Sequence, residues 1–171
     1  RRARLEHQQF VELIRKNSDA RIYFIEELIT DILGKIDKKE RSQFLSESLG
    51  EENHAKLCKI LSEEEMTVDH ILGRVHPFKY MVDSKLVIKP VGSIIWARDF
   101  SVVTQGGLVI SHYGGFYVRR KNETKVVKAI YKWHPEFRKH LSILEDFSLK
   151  EKLFLQGGDV IPIDEEAIAI G

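Results

Sequence analysis

Two polar interruptions in apolar stretches mark where this chain could do chemistry. The first is Trp96-Ala97-Arg98-Asp99. It is entered from Leu86-Val87-Ile88-Lys89-Pro90-Val91, broken at Gly92-Ser93, resumed at Ile94-Ile95, and left through Phe100-Ser101-Val102-Val103. A charged pair between two apolar runs is costly unless the charges are paired or put to use. An internal Arg98–Asp99 ion pair is the plain structural reading, and a ligand-binding site is the functional one. The second interruption, Leu155-Gln156-Gly157-Gly158-Asp159-Val160, has the same form. Two such features in one chain point to one shared site. A third cluster, Arg119-Arg120-Lys121, stands at an expected helix start, where cations oppose the helix dipole. It reads either as a solvated surface cluster or as a clamp for an anion or carboxylate, a task that suits the planar guanidinium fork.

Other chemistries are poorly served. The histidines are scattered, no His-Glu-x-x-His spacing occurs, and His134 and His140 stand apart from any cysteine, so no metal site is expected. Gly106-Gly107 and Gly114-Gly115 lack the Lys-Ser/Thr of a phosphate loop, and no Gly-x-Ser-x-Gly elbow is present. Cys58 is the single cysteine, which excludes an internal disulfide and a multi-cysteine zinc site and fits a reducing compartment. It shares a helical stripe with His54, Leu57 and Leu61 and is expected in the core. A net charge of +1, with no aromatic residues interleaved in the basic cluster, argues against nucleic acid or an anionic membrane as partner. No apolar run reaches membrane-spanning length and no signal peptide heads the chain, so a cytoplasmic location is expected.

The elements that must position these residues fall into three segments. At 171 residues and 43% apolar, the chain can bury a real core. Residues 3–16 carry a helical stripe of Phe10, Leu13 and Ile14, and Arg21-Ile22-Tyr23-Phe24-Ile25 reads as a short strand. Residues 26–75 read as four short helices standing outside a sheet-rich body. Their stripes begin with Leu28, Ile29, Ile32 and Leu33, and a Ser62/Glu65 capping box precedes Val68, Ile71, Leu72 and Val75. From residue 84 the period becomes that of strands. Leu86–Val91, Ile94–Val103, Leu108–Tyr113 and Glu151–Ile163 are the strand candidates, and Gly106-Gly107 is a turn. A helix with Val126, Ile130, Trp133 and Phe137 on one face lies among them. The expected division is 1–25 as the start of the body, 26–83 as a helical insert with its connector, and 84–171 as the remainder of the body. The first residues lie inside a helix and the last inside a strand, so both ends read as cuts.

Together these landmarks resemble those of arginine deiminases. They are Ala3-Arg4-x-Glu6-His7-x2-Phe10, Pro90-x5-Trp96-Ala97-Arg98-Asp99, Arg119-Arg120-Lys121-Asn122-Glu123-Thr124, Ala129–Phe137 and Gly157-Gly158-Asp159-Val160, in the family's order along nearly the whole chain. The resemblance implies an α/β fold, part of a five-bladed α/β propeller of ββαβ modules with an inserted helical bundle. It implies hydrolysis of L-arginine to L-citrulline and ammonia. A cysteine thiolate attacks the guanidinium carbon, ammonia leaves, and water releases citrulline. Two aspartates hold the guanidinium, a Glu–His pair moves protons, arginines hold the substrate carboxylate, and no cofactor is required.

Carried over by position, Asp99 is a guanidinium-binding aspartate with a catalytic part. Arg119 or Arg120 is a carboxylate-binding arginine, the spacing around Gly114-Gly115 being longer than usual. Ser93 stands where the family commonly has Asn, after Gly92 in place of Pro. Gln156 stands at the family's catalytic Glu, and Asp159 closes the adjoining Gly-Gly-Asp. An amide cannot accept a proton as a carboxylate does. The family's second aspartate, histidine and nucleophilic cysteine belong to its C-terminal half, and Cys58, in the helical insert, cannot serve as that nucleophile. Three readings result. The chain is an incomplete N-terminal portion of an arginine deiminase-type protein, lacking the Cys and His of the site and inactive alone, with L-arginine and a C-terminal half or a homo-oligomer as expected partners. Or it is a catalytically dead relative that binds arginine weakly or acts as an interaction protein. Or it is an unrelated helical-plus-β interaction module.

Overall fold

The structure, a computed structural model, describes the chain apart from residues 1, 83, 84, 89, 93, 95, 96, 113–119, 141, 147–154 and 165. Helical periodicity gives way to helices where the sequence carries it. Helix α1 spans Arg2–Asn17, α2 Ile25–Lys35, α3 Lys38–Leu49, α4 Glu51–Leu57 and α5 Val68–Ile71. A reciprocal capping box opens α3: Glu40 N donates to Asp37 Oδ1 at 2.8 Å, and Asp37 N donates to Glu40 Oε2 at 3.2 Å. Gly50, at φ 85°, turns the chain between α3 and α4, a left-handed conformation that glycine adopts without strain. The Ser62/Glu65 box forms as well, but it opens the 3₁₀ turn Glu63–Glu65, and Thr67 with His70 caps α5.

Helix α6, Lys121–Trp133, runs on into the short α7, Pro135–Arg138, and completes the core. Its buried face of Val126, Ala129, Ile130 and Trp133 meets Phe44 and Leu45 of α3 and Leu28, Ile29 and Ile32 of α2. Trp133 Nε1 donates to Glu47 Oε2 at 2.9 Å, so the indole is buried with its one donor satisfied. Val87, Ile88 and Val91 join the same cluster from irregular chain. Helix α1 contributes less than its pattern suggests: Val11 is buried, while Phe10 and Leu13 are 59% and 61% exposed.

The strands are short. β1 (Met81–Val82) pairs with β2 (Lys85–Leu86), and β6 (Val160–Pro162) pairs with β7 (Ile168–Ile170), both antiparallel. β3 (Ser101–Thr104) and β4 (Gly107–Ile110) form a hairpin, and β5 (Ile143–Asp146) lies parallel to β4. The two-residue hairpin loop is Gln105-Gly106, so Gly107 opens a strand and does not sit in the turn. Gly107 has φ 139°, and a Cβ there would lie 2.5 Å from Ser142 O, so glycine is required.

The expected α/β propeller is not formed by the described residues. Among the described residues the molecule is mostly α-helical, with open sheets of two, three and two strands. One unit, β3–β4–α6–α7–β5, has the order ββαβ, and no five-bladed ring is built from it. The expectation failed because short apolar runs were read as strands. Such runs bury equally well without pairing. Of Leu86–Val91 only Leu86 pairs, in β2, while Val87, Ile88 and Val91 pack against the helices outside any strand. Within Ile94–Val103, Ala97–Phe100 is a 3₁₀ turn, and within Glu151–Ile163 the turn is Gly157–Asp159. Arg21–Phe24 is not a strand either, and Phe24 precedes α2 in extended conformation. No helix of the described residues is long and apolar enough to cross a membrane.

One buried titratable group makes this core sensitive to acid. His70 Nδ1 accepts from the Thr67 backbone N–H at 3.1 Å, and Nε2 meets Tyr80 Oη at 2.9 Å. Nδ1 therefore carries no proton in the folded state. Burial pushes the His70 pKa down; Lys79 adds to this and Asp69 opposes it. The unfolded chain then binds more protons than the native one below the ordinary histidine value of roughly 6.5, so stability falls as pH drops through that range. Urea unfolding should show the midpoint dropping between about pH 7.5 and about pH 5.5, with a shallower drop for His70→Gln. Equal slopes for the two proteins would assign the effect to another group.

Candidate functional site

Asp99 lies in the 3₁₀ turn Ala97–Phe100, immediately before β3. Its Oδ2 accepts from Arg120 Nη2 at 3.0 Å. Arg120 precedes α6, and its Nε reaches Glu123 Oε2 in the first helical turn at 3.3 Å. The guanidinium also lies over the buried Phe100 ring, 5.2 Å from its centroid. Arg120 thus stands between two carboxylates, of which Glu123 lies in the first turn of α6, where negative charge is favoured. This explains how a cation is tolerated at that helix start. The ion pair of the first interruption exists, but with a different cation: Arg98 donates instead to Val160 O at 3.1 Å. Side chains of adjacent residues diverge, so Arg98 is poorly placed for Asp99.

The second interruption is packed against the first. Gln156 is extended and half-buried, and Asp159 N donates to Gln156 O at 3.0 Å across the Gly157–Asp159 turn. Leu155, just before it, exchanges backbone hydrogen bonds with His112 at 2.9 and 3.2 Å, which ties the turn to the end of β4. A Cβ on Gly157 would overlap the carbonyl oxygen of Arg98 and lie 2.7 Å from that of Ser101. On Gly158 it would lie 2.8 Å from Asp99 Oδ1. The two glycines are therefore what lets the second turn close over the Asp99 carboxylate. Asp159 is exposed on the same turn. Ser93 and Arg119 lie outside the described residues, as do Trp96 and Gly114-Gly115.

Three features here escaped the sequence reading. Ser111, fully buried beside this region, has its N–H on Phe100 O at 3.0 Å, and its Oγ has no hydrogen-bond partner among the described residues. Nothing in the local sequence distinguishes it. His112, also buried, anchors the second turn through its backbone. The third is a cluster elsewhere: Cys58 is exposed rather than in the core, with its Sγ 3.5 Å from His54 Nε2, and His54 Nε2 is 2.9 Å from Glu63 Oε1. Cys58 caps α4 in helical conformation, its N–H donating to His54 O at 2.9 Å, and is exposed although His54 and Leu57 beside it are buried. The His-x3-Cys spacing was the signal available for this pair.

The glycine packing separates two substitutions. Gly157→Ala should cost about 1–3 kcal/mol, because fixed backbone must shift. Gly158→Ala should cost less than about 1 kcal/mol, because the Asp99 side chain can turn away. Chemical denaturation of both variants measures this, and equal costs would show that the Gly157 contact is relieved without strain.

The arginine deiminase family model matches residues 1–171. The arginine deiminase of Borreliella burgdorferi (strain ZS7) is 25% identical, the alignment covering 99% of this chain and 44% of the relative. That of Bacillus cereus (strain ATCC 10987 / NRS 248) is 28% identical over 97% of this chain and 44% of the relative. That of Metamycoplasma arthritidis (strain 158L3-1) is 26% identical over 99% of this chain and 43% of the relative. The chain thus spans less than half the length of these relatives. With the match running through every element that brings Asp99, Arg120 and the Gly157-Gly158 turn together, this chain belongs to the arginine deiminase family.

Proposed function

We propose that this chain holds L-arginine for a deiminase-type hydrolysis to L-citrulline and ammonia, and that the cysteine attacking the guanidinium carbon is not among these 171 residues. The observation that carries the reading is the Asp99 carboxylate. Arg120 holds one of its oxygens, and the other faces the Gly158 backbone with no side chain between. A carboxylate anchored on one side and reached past a glycine on the other can accept from a substrate guanidinium without reorganising. Asp159, Ser93 and Arg119 are further proposed substrate contacts, and Arg120 is primarily the group that orients Asp99.

Cys58 does not supply the nucleophile. Partial desolvation of the sulfur and the neighbouring Glu63 push its thiol above the ordinary cysteine range, which leaves little thiolate near neutrality. A complementing segment or a second chain would have to bring the cysteine and the histidine. The second reading, arginine binding without turnover, is favoured by Gln156, whose amide can neither take a proton nor present a charge to the guanidinium.

L-Arginine titrated into the chain should give weak, saturable heat that Asp99→Asn removes and the exposed Asp164→Asn leaves alone. Gln156→Glu should tighten binding about tenfold, since a charge-assisted hydrogen bond exceeds a neutral one by roughly 1–1.5 kcal/mol. Citrulline release by the chain alone should stay at the level of a protein-free blank. Absence of saturable heat in both the parent and Gln156→Glu overturns the binding role, and steady citrulline release overturns the assignment of the nucleophile.

A further inference from the structure

His54, Cys58 and Glu63 form a cluster that shares no residue with the Asp99 region. His54 and Cys58 are one helical turn apart on α4 and its cap, which puts both on one side of the helix. Glu63 comes from the 3₁₀ turn that follows. His54 Nε2 lies 2.9 Å from Glu63 Oε1 and 3.5 Å from Cys58 Sγ, and the three ligand atoms lie within 4.8 Å of one another.

A Cys-His-Glu set suggests a nucleophile first, but the atoms exclude a relay. In a triad the thiol and the carboxylate address opposite nitrogens of the imidazole. Here both address Nε2. Three donors of different type facing one point is instead the arrangement of a chelate. A tetrahedral ion with bonds of about 2.1 Å to nitrogen and about 2.3 Å to sulfur requires a nitrogen–sulfur separation of about 3.6 Å. The observed 3.5 Å meets that requirement. The nitrogen–oxygen separation must open from 2.9 Å to about 3.4 Å, a change that a small rotation of the Glu63 carboxylate supplies.

The support around the cluster is already in place. Ser42 Oγ donates to Glu63 Oε1 at 2.7 Å. Arg41 pins the turn from beneath, its Nε on Glu63 O at 2.9 Å and its Nη2 on Met66 O at 2.8 Å. The His54 side chain is 10% exposed and that of Glu63 19%, while Cys58 is open to solvent, so an ion has a way in and a largely dry seat.

We propose that His54 Nε2, Cys58 Sγ and Glu63 Oε1 bind one divalent ion of the zinc class, with the fourth position left to water. The site staples the end of α4 to the Glu63–Glu65 turn. Without an ion, partial desolvation and Glu63 both push the Cys58 thiol up; a dication inverts that balance by neutralising the carboxylate and taking the sulfur as thiolate.

Cobalt(II) added to the full chain is the test, because sulfur ligation gives a charge-transfer band in the near ultraviolet and four-coordination gives intense visible bands. The bands should saturate at one ion per chain and disappear on addition of zinc. Cys58→Ser, at an exposed position that tolerates the change, should abolish the sulfur band. His54→Gln and Glu63→Gln should each weaken binding by about 100-fold or more, and Ser42→Ala by about tenfold through its support of Glu63. Zinc should also raise the thermal midpoint of the parent chain but not of Cys58→Ser, a readout that does not depend on the His54 variant folding. No sulfur–cobalt band in the parent, or a band unchanged in both Cys58→Ser and Glu63→Gln, overturns the proposal.

Discussion

The guanidinium of Arg120 is the joint of this molecule. It sits at the start of α6, the helix that closes the core, and reaches the turn that leads into the three-stranded sheet. Glu123 binds it on the helix side and Asp99 on the sheet side, and Phe100 lies under its face. A planar cation with donors on several edges can bridge two carboxylates in fixed directions; an ammonium is a point charge and cannot. With Glu123 almost fully buried, removing the cation would leave a charge in a poorly solvated place. The helical core and the sheet edge therefore depend on one group agreeing with both.

Around that joint the molecule uses two kinds of stabilisation. The helical core is apolar and redundant: Phe44, Leu45, Ile29 and Ile32 are fully buried, and each touches several neighbours, so loss of any one is shared. The contact between the two 3₁₀ turns is different in kind. It depends on the absence of side chains at Gly157 and Gly158, on the backbone bridge between His112 and Leu155, and on the hydrogen bond from Arg98 to Val160 O. A site assembled this way is positioned by backbone, which holds a carboxylate accurately but tolerates little substitution.

The two polar clusters are chemically complementary. The Asp99 region offers charge and a close backbone, suited to a cationic planar ligand, and offers no thiol. The only thiol of the chain is with His54 and Glu63 at the end of α4. Family membership and this separation together are why the proposed role is substrate holding and not turnover. They also leave Cys58 free for a different task.

Much of the helical architecture was legible in the residue order. The stripes Leu28-Ile29-Ile32 and Val126-Ile130-Trp133 did become buried faces, because amphipathic periodicity is a property of residues three and four apart and needs no distant information. The order of landmarks from Asp99 to Gly158 carried the family for the same reason: it is written along the chain. The strands were overestimated, since pairing requires a partner that a lone apolar run does not specify, and Val87, Ile88 and Val91 found helices instead. The ion pair was expected between neighbours, yet Asp99 chose Arg120, 21 residues away. Cys58 was assigned to the core by its stripe, yet it is exposed while its stripe neighbours His54 and Leu57 are buried. Sequence therefore determined which faces are apolar and which family's landmarks are present. Only the tertiary structure decided which charge meets which, because such pairs differ little in intrinsic strength and are selected by where the backbone brings them.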